Sequence, residues 1–133
     1  MPIKSTREMV NAANAELEVL TAEQAIALHG DENVTFVDIR DVRELWRDGA
    51  VPGAWHVPRG MLEFWIDPES PYAKEEFQSG KKFVFFCAGG MRSALAAKVA
   101  KDMGLSPIAH IETGFRGWKE AGGPTEEKQP KER

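Results

Sequence analysis

Short apolar segments recur along the chain and predict five β-strands. Residues 82–86 form the run most typical of a strand, and residues 34–37 are a second run of β-branched and aromatic side chains. Residues 17–20 alternate apolar and acidic positions, as a half-exposed strand does. Two briefer segments, residues 54–57 and 108–111, complete the predicted set.

Helices are predicted between these strands. Ser5, Thr21 and Asp41 are each followed three residues later by Glu or Gln, the pattern of a capped helix start. A further helix begins at about Ser93, carries large apolar side chains at i, i+4 and i+8, and ends at Gly104. The apolar stripe of the first helix is weak, which predicts a peripheral position. Shorter helices are predicted over residues 61–65, 72–78 and 115–121.

The alternation of strands and helices predicts an α/β sandwich. It indicates a mainly parallel five-stranded sheet with helices on both faces. Ligands of such sheets bind beyond the carboxyl ends of the strands. A length of 133 residues with 42% hydrophobic side chains suits one domain.

Charge and composition narrow the function. The formal net charge of −4 gives no surplus of positive charge for a phosphate backbone, so no nucleic-acid partner is expected. No apolar run approaches the roughly 18–20 residues of a membrane span, and the N-terminus lacks the apolar stretch of a secretory signal. These features predict a soluble, cytoplasmic protein that does not bind membranes.

The single cysteine, Cys87, is the strongest chemical candidate. A lone cysteine is more often a small buried hydrophobe than a nucleophile. Here it follows a predicted strand and precedes Gly89 and Gly90, which let several N–H groups converge on the sulfur. The helix from about Ser93 and the charge of Arg92 favour the thiolate as well. The pattern therefore predicts a cradle for a sulfur anion or a small oxyanion, with a nucleophile at its floor.

Three segments of the chain resemble single-domain rhodanese sulfurtransferases. Residues 87–93, Cys-Ala-Gly-Gly-Met-Arg-Ser, are similar to the family's C-x-x-G-x-R-S loop. Residues 37–58 resemble the family's V-D-x-R and G-H-I-P-G-A-x-H-I-P signatures, with Ala50 where the family usually has His. Residues 114–124 resemble the closing G-F-x-G-W and G-x-P segment, with Gly123 where a bulkier residue often stands. The resemblance covers about residues 17–124, in the family's order.

The resemblance implies a three-layer sandwich and a sulfurtransferase. Cys87 would take sulfane sulfur from a donor such as thiosulfate, hold it as a persulfide and pass it to cyanide, a thiol or a protein. Asp38 and Arg40 would support the site without performing chemistry. Arg59 is either a surface charge or a second cation that attracts an anionic donor. The substrate-binding residues would be the rest of the loop: Ala88, Gly89, Gly90, Met91, Arg92 and Ser93.

The domain limits follow from the same comparison. Residues 17–124 would form the rhodanese-like domain, and residues 1–16 a helical extension. Residues 125–133 are a charged segment with nothing to bury, which predicts a disordered tail.

Two other functions stay open. Related cell-cycle phosphatases and arsenate reductases have five residues between cysteine and arginine, whereas four separate Cys87 from Arg92. The smaller ring favours one sulfur atom over a tetrahedral oxyanion. Rhodanese-like domains also serve as regulatory or binding modules, although these often lack the cysteine. The oligomeric state, the donor and the acceptor are left undetermined.

Metal and cofactor chemistry is not expected. One cysteine cannot supply a disulfide or a multi-thiolate metal site from this chain alone. The three histidines, His29, His56 and His110, lie at a helix end or in or beside short strands. A Cys/His dyad is therefore disfavoured, and the histidines are expected to be structural.

Overall fold

The computed structural model describes residues 2–130 as an α/β fold. Its strands are β1 (Glu18–Leu20), β2 (Val34–Asp38), β3 (Trp55–His56), β4 (Lys82–Phe86) and β5 (Ile108–Ile111). They form one sheet in the order β1-β5-β4-β2-β3, and every neighbouring pair is parallel. The predicted five-stranded sheet is confirmed, and β4 is its central strand.

Six α-helices connect and flank these strands. They are α1 (Thr6–Glu16), α2 (Ala22–Leu28), α3 (Val42–Asp48), α4 (Leu62–Ile66), α5 (Met91–Asp102) and α6 (Gly114–Glu120). Ser5, Thr21 and Asp41 are the N-caps of α1, α2 and α3, and each side chain accepts a backbone N–H as predicted. The helix predicted over residues 72–78 is only a 3-10 turn at Glu75–Gln78, whose start has no side-chain cap.

Successive side chains of β4 face opposite layers of the molecule. Phe83 and Phe85 pack with α4 and α5 on one face of the sheet. Val84 and Phe86 pack with α2 and α6 on the other face, where Trp118 is fully buried. Helices therefore cover both faces, which confirms the three-layer sandwich.

The helix that follows β4 differs from its sequence prediction in two ways. It begins at Met91, two residues before the predicted start at Ser93, because Gly90 adopts a φ of +104° and turns the chain directly into the helix. Its fully buried side is built of small residues, including Ala94, Ala97 and Ala100. The larger apolar side chains that predicted the helix, Leu95, Val99 and Met103, are half-buried or exposed.

The N-terminal helix is mostly exposed, as its weak apolar stripe predicts, and it contacts the rest of the fold through one side. α1 packs along α5, Ala13 is buried, and Asn14 contacts a buried histidine of β5. The sequence pattern did not predict this contact, because Ala13 contributes little to the hydrophobicity of the helix.

Near the C-terminus, Glu126 pairs with Ala50 in an antiparallel bridge. Residues 131–133 of the predicted tail lie outside the described residues.

Candidate active site

Cys87 lies at the carboxyl end of β4, at the middle of the sheet. Its side chain is 1% exposed and shares the sheet face of Phe85. Its carbonyl accepts the N–H of Phe115 at 2.8 Å, and the carbonyl of Phe86 accepts the N–H of Ile39 at 3.1 Å. The loops after β2 and β5 thereby hold Cys87 from both sides.

Two backbone N–H groups of the loop donate to the Cys87 sulfur. Gly90 N lies 3.1 Å and Ser93 N lies 3.4 Å from Sγ. The first turn of the twelve-residue helix α5 starts at the same place, so its dipole also stabilises negative charge on the sulfur. The predicted cradle therefore exists as backbone geometry around one sulfur atom.

Glycines let the neighbouring loops approach this cradle closely. Gly90 has a φ of +104°, and a Cβ there would collide with the carbonyl oxygen of Glu112 after β5. Gly114 has a φ of +64°, and its Cβ would lie 2.6 Å from the carbonyl oxygens of Cys87 and Ala88. Neither position accepts a side chain without movement of the cysteine loop.

Arg92, predicted to bind substrate, is bound to a carboxylate that sequence reasoning assigned only to a helix cap. Its two terminal nitrogens donate to the two oxygens of Glu44 at 2.8 and 2.9 Å. The same carboxylate accepts the N–H of Asp41. Hydrogen bonding from Arg92 lowers the pKa of Glu44 below its ordinary value. Much of the charge of Arg92 is therefore compensated within the protein.

Asp38 and Arg40 form a buried ion pair at the end of β2. Arg40 donates through Nε and Nη2 to both carboxylate oxygens of Asp38, and each side chain is 1% exposed. Nη2 also donates to the carbonyl of Gly49, and the guanidinium lies 4.4 Å from the ring centre of Phe115. The pair packs in the α6 layer, across the sheet from the Cys87 sulfur, and does not line its pocket.

A pocket of about 600 Å³ opens above Cys87. The loop residues Gly89, Met91 and Arg92 line it, as does Arg59 from the turn after β3. Arg59 is therefore an exposed side chain and also part of the pocket lining. Helices α1, α5 and α6 supply the remaining lining residues, which the sequence did not single out for the site: Thr6, Val10, Leu95 and Arg116.

A chain of buried polar side chains leads away from the sulfur. The Cys87 thiol lies 3.6 Å from Ser93 Oγ, which lies 3.0 Å from His110 Nδ1. His110 Nε2 lies 2.7 Å from Asn14 Oδ1 on α1. Burial lowers the pKa of His110 to about 4, so the ring is neutral at pH 7. Since Asn14 Oδ1 is an acceptor, the ring proton sits on Nε2, and Nδ1 accepts the hydroxyl proton of Ser93.

The histidines hold structural positions, as expected from the sequence. His29 Nε2 contacts the carbonyl of Pro52 at 2.8 Å, and His56 Nε2 contacts the carbonyl of Arg40 at 2.7 Å. His110 reaches Cys87 only through a serine. The sheet face of His110 was predictable from the sequence, because side chains alternate along a strand and His110 lies two residues after Ile108 in β5.

Neither metal ligands nor membrane helices mark the part of the chain that the structure describes. Within residues 2–130, no three His, Cys, Asp or Glu side chains lie close enough to hold a metal ion. None of the described helices has the length and apolarity needed to cross a membrane.

The fold and site define an α/β protein with a cysteine cradle at the carboxyl end of its central strand. The Rhodanese-like domain family matches residues 21–121. The chain belongs to this family, and it has a role of the sulfur-transfer type or of a rhodanese module.

Named relatives differ in the activity that their names carry. "Putative sulfurtransferase YtwF" of Bacillus subtilis (strain 168) is 28% identical over 102 residues, which are 77% of this chain and 89% of that protein. "Dual specificity phosphatase Cdc25" of Arabidopsis thaliana is 25% identical over 128 residues, 90% of this chain and 84% of that protein. A solved structure from Rhodopseudomonas palustris CGA009, described as "Protein of Unknown Function RPA3614, Possible Tyrosine Phosphatase", is 60% identical. It has a TM-score of 0.91 and covers 95% of this chain and 99% of its own.

Proposed function

We propose that the protein is a sulfurtransferase that carries sulfane sulfur on Cys87. The observation that carries this proposal is the pair of N–H groups, from Gly90 and Ser93, that already surround a single sulfur atom. A sulfur atom added to Cys87 would extend into the pocket that the loop and Arg59 line. Membership of the family and the similarity to a protein named as a sulfurtransferase support the same chemistry.

The reaction divides into two steps at one sulfur. The Cys87 thiolate attacks the outer sulfur of thiosulfate, a sulfur–sulfur bond to Cys87 forms, and sulfite leaves with the electron pair of the broken bond. The acceptor, such as cyanide, a thiol or a protein, then attacks the outer sulfur of the persulfide. This second step releases the Cys87 thiolate and thiocyanate when cyanide is the acceptor. No cofactor is needed, since electrons balance in both steps.

The other predicted residues have supporting roles in this proposal. Gly89, Met91 and Arg92 line the space for the transferred sulfur, with Arg92 held in place by Glu44, and Gly90 and Ser93 donate their N–H groups to the Cys87 sulfur. Ala88 lies at a separate pocket beside Arg40 and has no contact with the sulfur in this proposal. Arg59 adds positive charge at the pocket and attracts an anionic donor. Asp38 and Arg40 brace the end of the neighbouring strand from the opposite layer.

A phosphatase is the second candidate, because one similar protein is named a dual specificity phosphatase and another, of unknown function, is described as a possible tyrosine phosphatase. A phosphate ester would need inward N–H groups and a free arginine for its three equatorial oxygens. In this loop two N–H groups are taken up by the sulfur, and both terminal nitrogens of Arg92 are bound to Glu44. These contacts favour sulfur transfer over phosphoryl transfer.

The test compares wild-type protein with Cys87→Ser. Sulfite release from thiosulfate is followed with cyanide as the acceptor, and mass spectrometry follows the addition of one sulfur atom to Cys87. We expect turnover and the persulfide in the wild type and neither in Cys87→Ser, because a serine hydroxyl does not carry sulfane sulfur at neutral pH.

Circular dichroism and thermal unfolding of both proteins serve as the folding control, since serine conserves the size of the side chain. Sulfur transfer that persists in Cys87→Ser would remove Cys87 from the mechanism. Cys87-dependent hydrolysis of an aryl phosphate at a rate that matches sulfur transfer would favour the phosphatase instead. If the wild-type protein takes up no sulfur, the binding-module role is favoured over sulfur transfer.

A further inference from the structure

The pocket above Cys87 is much larger than an inorganic sulfur donor requires. Its volume is about 600 Å³. Pockets for drug-sized organic ligands span about 300–1,000 Å³. Thiosulfate would occupy a small part of this space and leave the outer walls without contacts.

The charges on these walls select an anion. Arg92 is compensated by Glu44, but Arg59 and Arg116 are exposed side chains at the same pocket. Within residues 2–130, neither Arg59 nor Arg116 takes part in an ion pair or a side-chain hydrogen bond. Two guanidinium groups without internal partners are suited to sulfonate, sulfinate or carboxylate oxygens.

Apart from Thr6, the rest of the wall is apolar and comes partly from the N-terminal helix. Val10 of α1 and Leu95 of α5 are both half-buried, and Met91 is 53% exposed beside them. α1 lies before the segment that matches the family, residues 21–121. The α1 part of the wall therefore lies outside the matched segment, and an inorganic anion gains nothing from its apolar side chain.

We propose that the pocket binds an organic sulfane-sulfur donor that carries both an anionic group and an apolar group. Its anionic group lies near Arg59 and Arg116, and its apolar group lies against Val10 and Leu95. The donor class is that of thiosulfonates and organic persulfides, and α1 is the element that selects it. The inference rests on the proposed sulfur transfer at Cys87.

The reaction balances for both members of this class. With a thiosulfonate, Cys87 thiolate bonds the terminal sulfur, the bond to the sulfonyl sulfur breaks, and the organic sulfinate leaves with the electron pair. With an organic persulfide, the leaving group is the organic thiolate. Neither case requires an oxidant or a reductant, because the transferred sulfur keeps its oxidation level.

The test measures kcat/KM for benzenethiosulfonate and for thiosulfate with cyanide as the acceptor. Each value is divided by the rate of the same donor with a small free thiol, so that intrinsic reactivity cancels. One methylene in an apolar pocket is worth about 10- to 200-fold in kcat/KM. We therefore expect a corrected preference of at least about tenfold for benzenethiosulfonate.

Two matched variants show whether α1 is responsible. Val10→Asp places a carboxylate on the proposed apolar wall, and the preference for benzenethiosulfonate should fall at least about tenfold. Val42→Asp makes the same change at a 39% exposed position on α3, outside the pocket lining, and should keep the wild-type preference. Circular dichroism confirms the fold of each variant.

Three outcomes separate the inference from the proposed function. A corrected preference that Val10→Asp removes and Val42→Asp keeps supports both. Cys87-dependent transfer from both donors without preference, or with a preference that Val10→Asp does not change, overturns the inference and leaves sulfur transfer intact. The absence of Cys87-dependent transfer from either donor overturns the proposed function, and the inference with it.

Discussion

Removal of the charge of Asp38 should destabilise the protein strongly. Within residues 2–130, Asp38 is the only carboxylate bound to Arg40, and both side chains are 1% exposed. One terminal nitrogen of Arg40 has no hydrogen-bond partner among the described residues, and the other also donates to the Gly49 carbonyl, which is uncharged and cannot replace the carboxylate. Breaking a buried ion pair at one side costs about 3–5 kcal/mol. Asp38→Asn keeps one carbonyl oxygen for Arg40, so we expect the free energy of unfolding to fall by about 3 kcal/mol, the lower end of that range.

The assay is equilibrium unfolding in urea, and the matched control is Asp48→Asn. Asp48 also pairs with an arginine, Arg47, but the two side chains are 39% and 68% exposed. Exposed pairs contribute about 0–1 kcal/mol, so this variant should remain close to the wild type. The slope of the free energy against urea should stay constant in all three proteins, since the buried surface is the same. Equal stability of Asp38→Asn and Asp48→Asn would refute the argument that burial makes the Asp38 charge essential.

Two further predictions concern stability and the cysteine loop. His110 has a pKa of about 4 when folded and 6.5 when unfolded, so the unfolded chain binds its proton first as the pH falls. The free energy of unfolding should therefore decrease by about 3 kcal/mol between pH 6.5 and pH 4, and His110→Asn should remove that part of the slope in urea titrations at each pH. Gly90→Ala should lower the free energy of unfolding by more than the roughly 1–3 kcal/mol that a strained backbone costs, because its Cβ would also collide with Glu112. Gly89→Ala, whose Cβ would meet no neighbour, should unfold near the wild-type urea midpoint. Equal midpoints of the two variants would contradict the close contact with Glu112.

Local pattern was enough for most of the fold. The caps at Ser5, Thr21 and Asp41 bond groups two or three residues away, so the sequence contains all of their partners. The start of α5 was misplaced because Gly90 forms the turn, a role that apolar periodicity does not report. The core side of α5 was misplaced as well, since small alanines near the sheet carry little hydrophobic signal.

The candidate site was predictable only in part. The spacing between Cys87 and Arg92, together with the two glycines, identified the loop and its position after β4. The pairing of Arg92 with Glu44 joins residues 48 positions apart and depends on how α3 lies beside α5. Arg116 gave no signal, because a single exposed arginine on a short helix has no pattern of its own.

The sequence by itself determined the alternating elements, the parallel sheet and the position of the candidate nucleophile, Cys87. These follow from hydrogen bonds within a few residues and from the burial of regularly spaced apolar side chains, both of which act along the chain. The tertiary structure alone decided that α1 borders the pocket and that Asn14 reaches His110, 96 positions away. Such contacts depend on the packing of whole elements against one another. Their partners are chosen by shape and by the need to satisfy buried polar groups, and neither quantity has a period in the sequence.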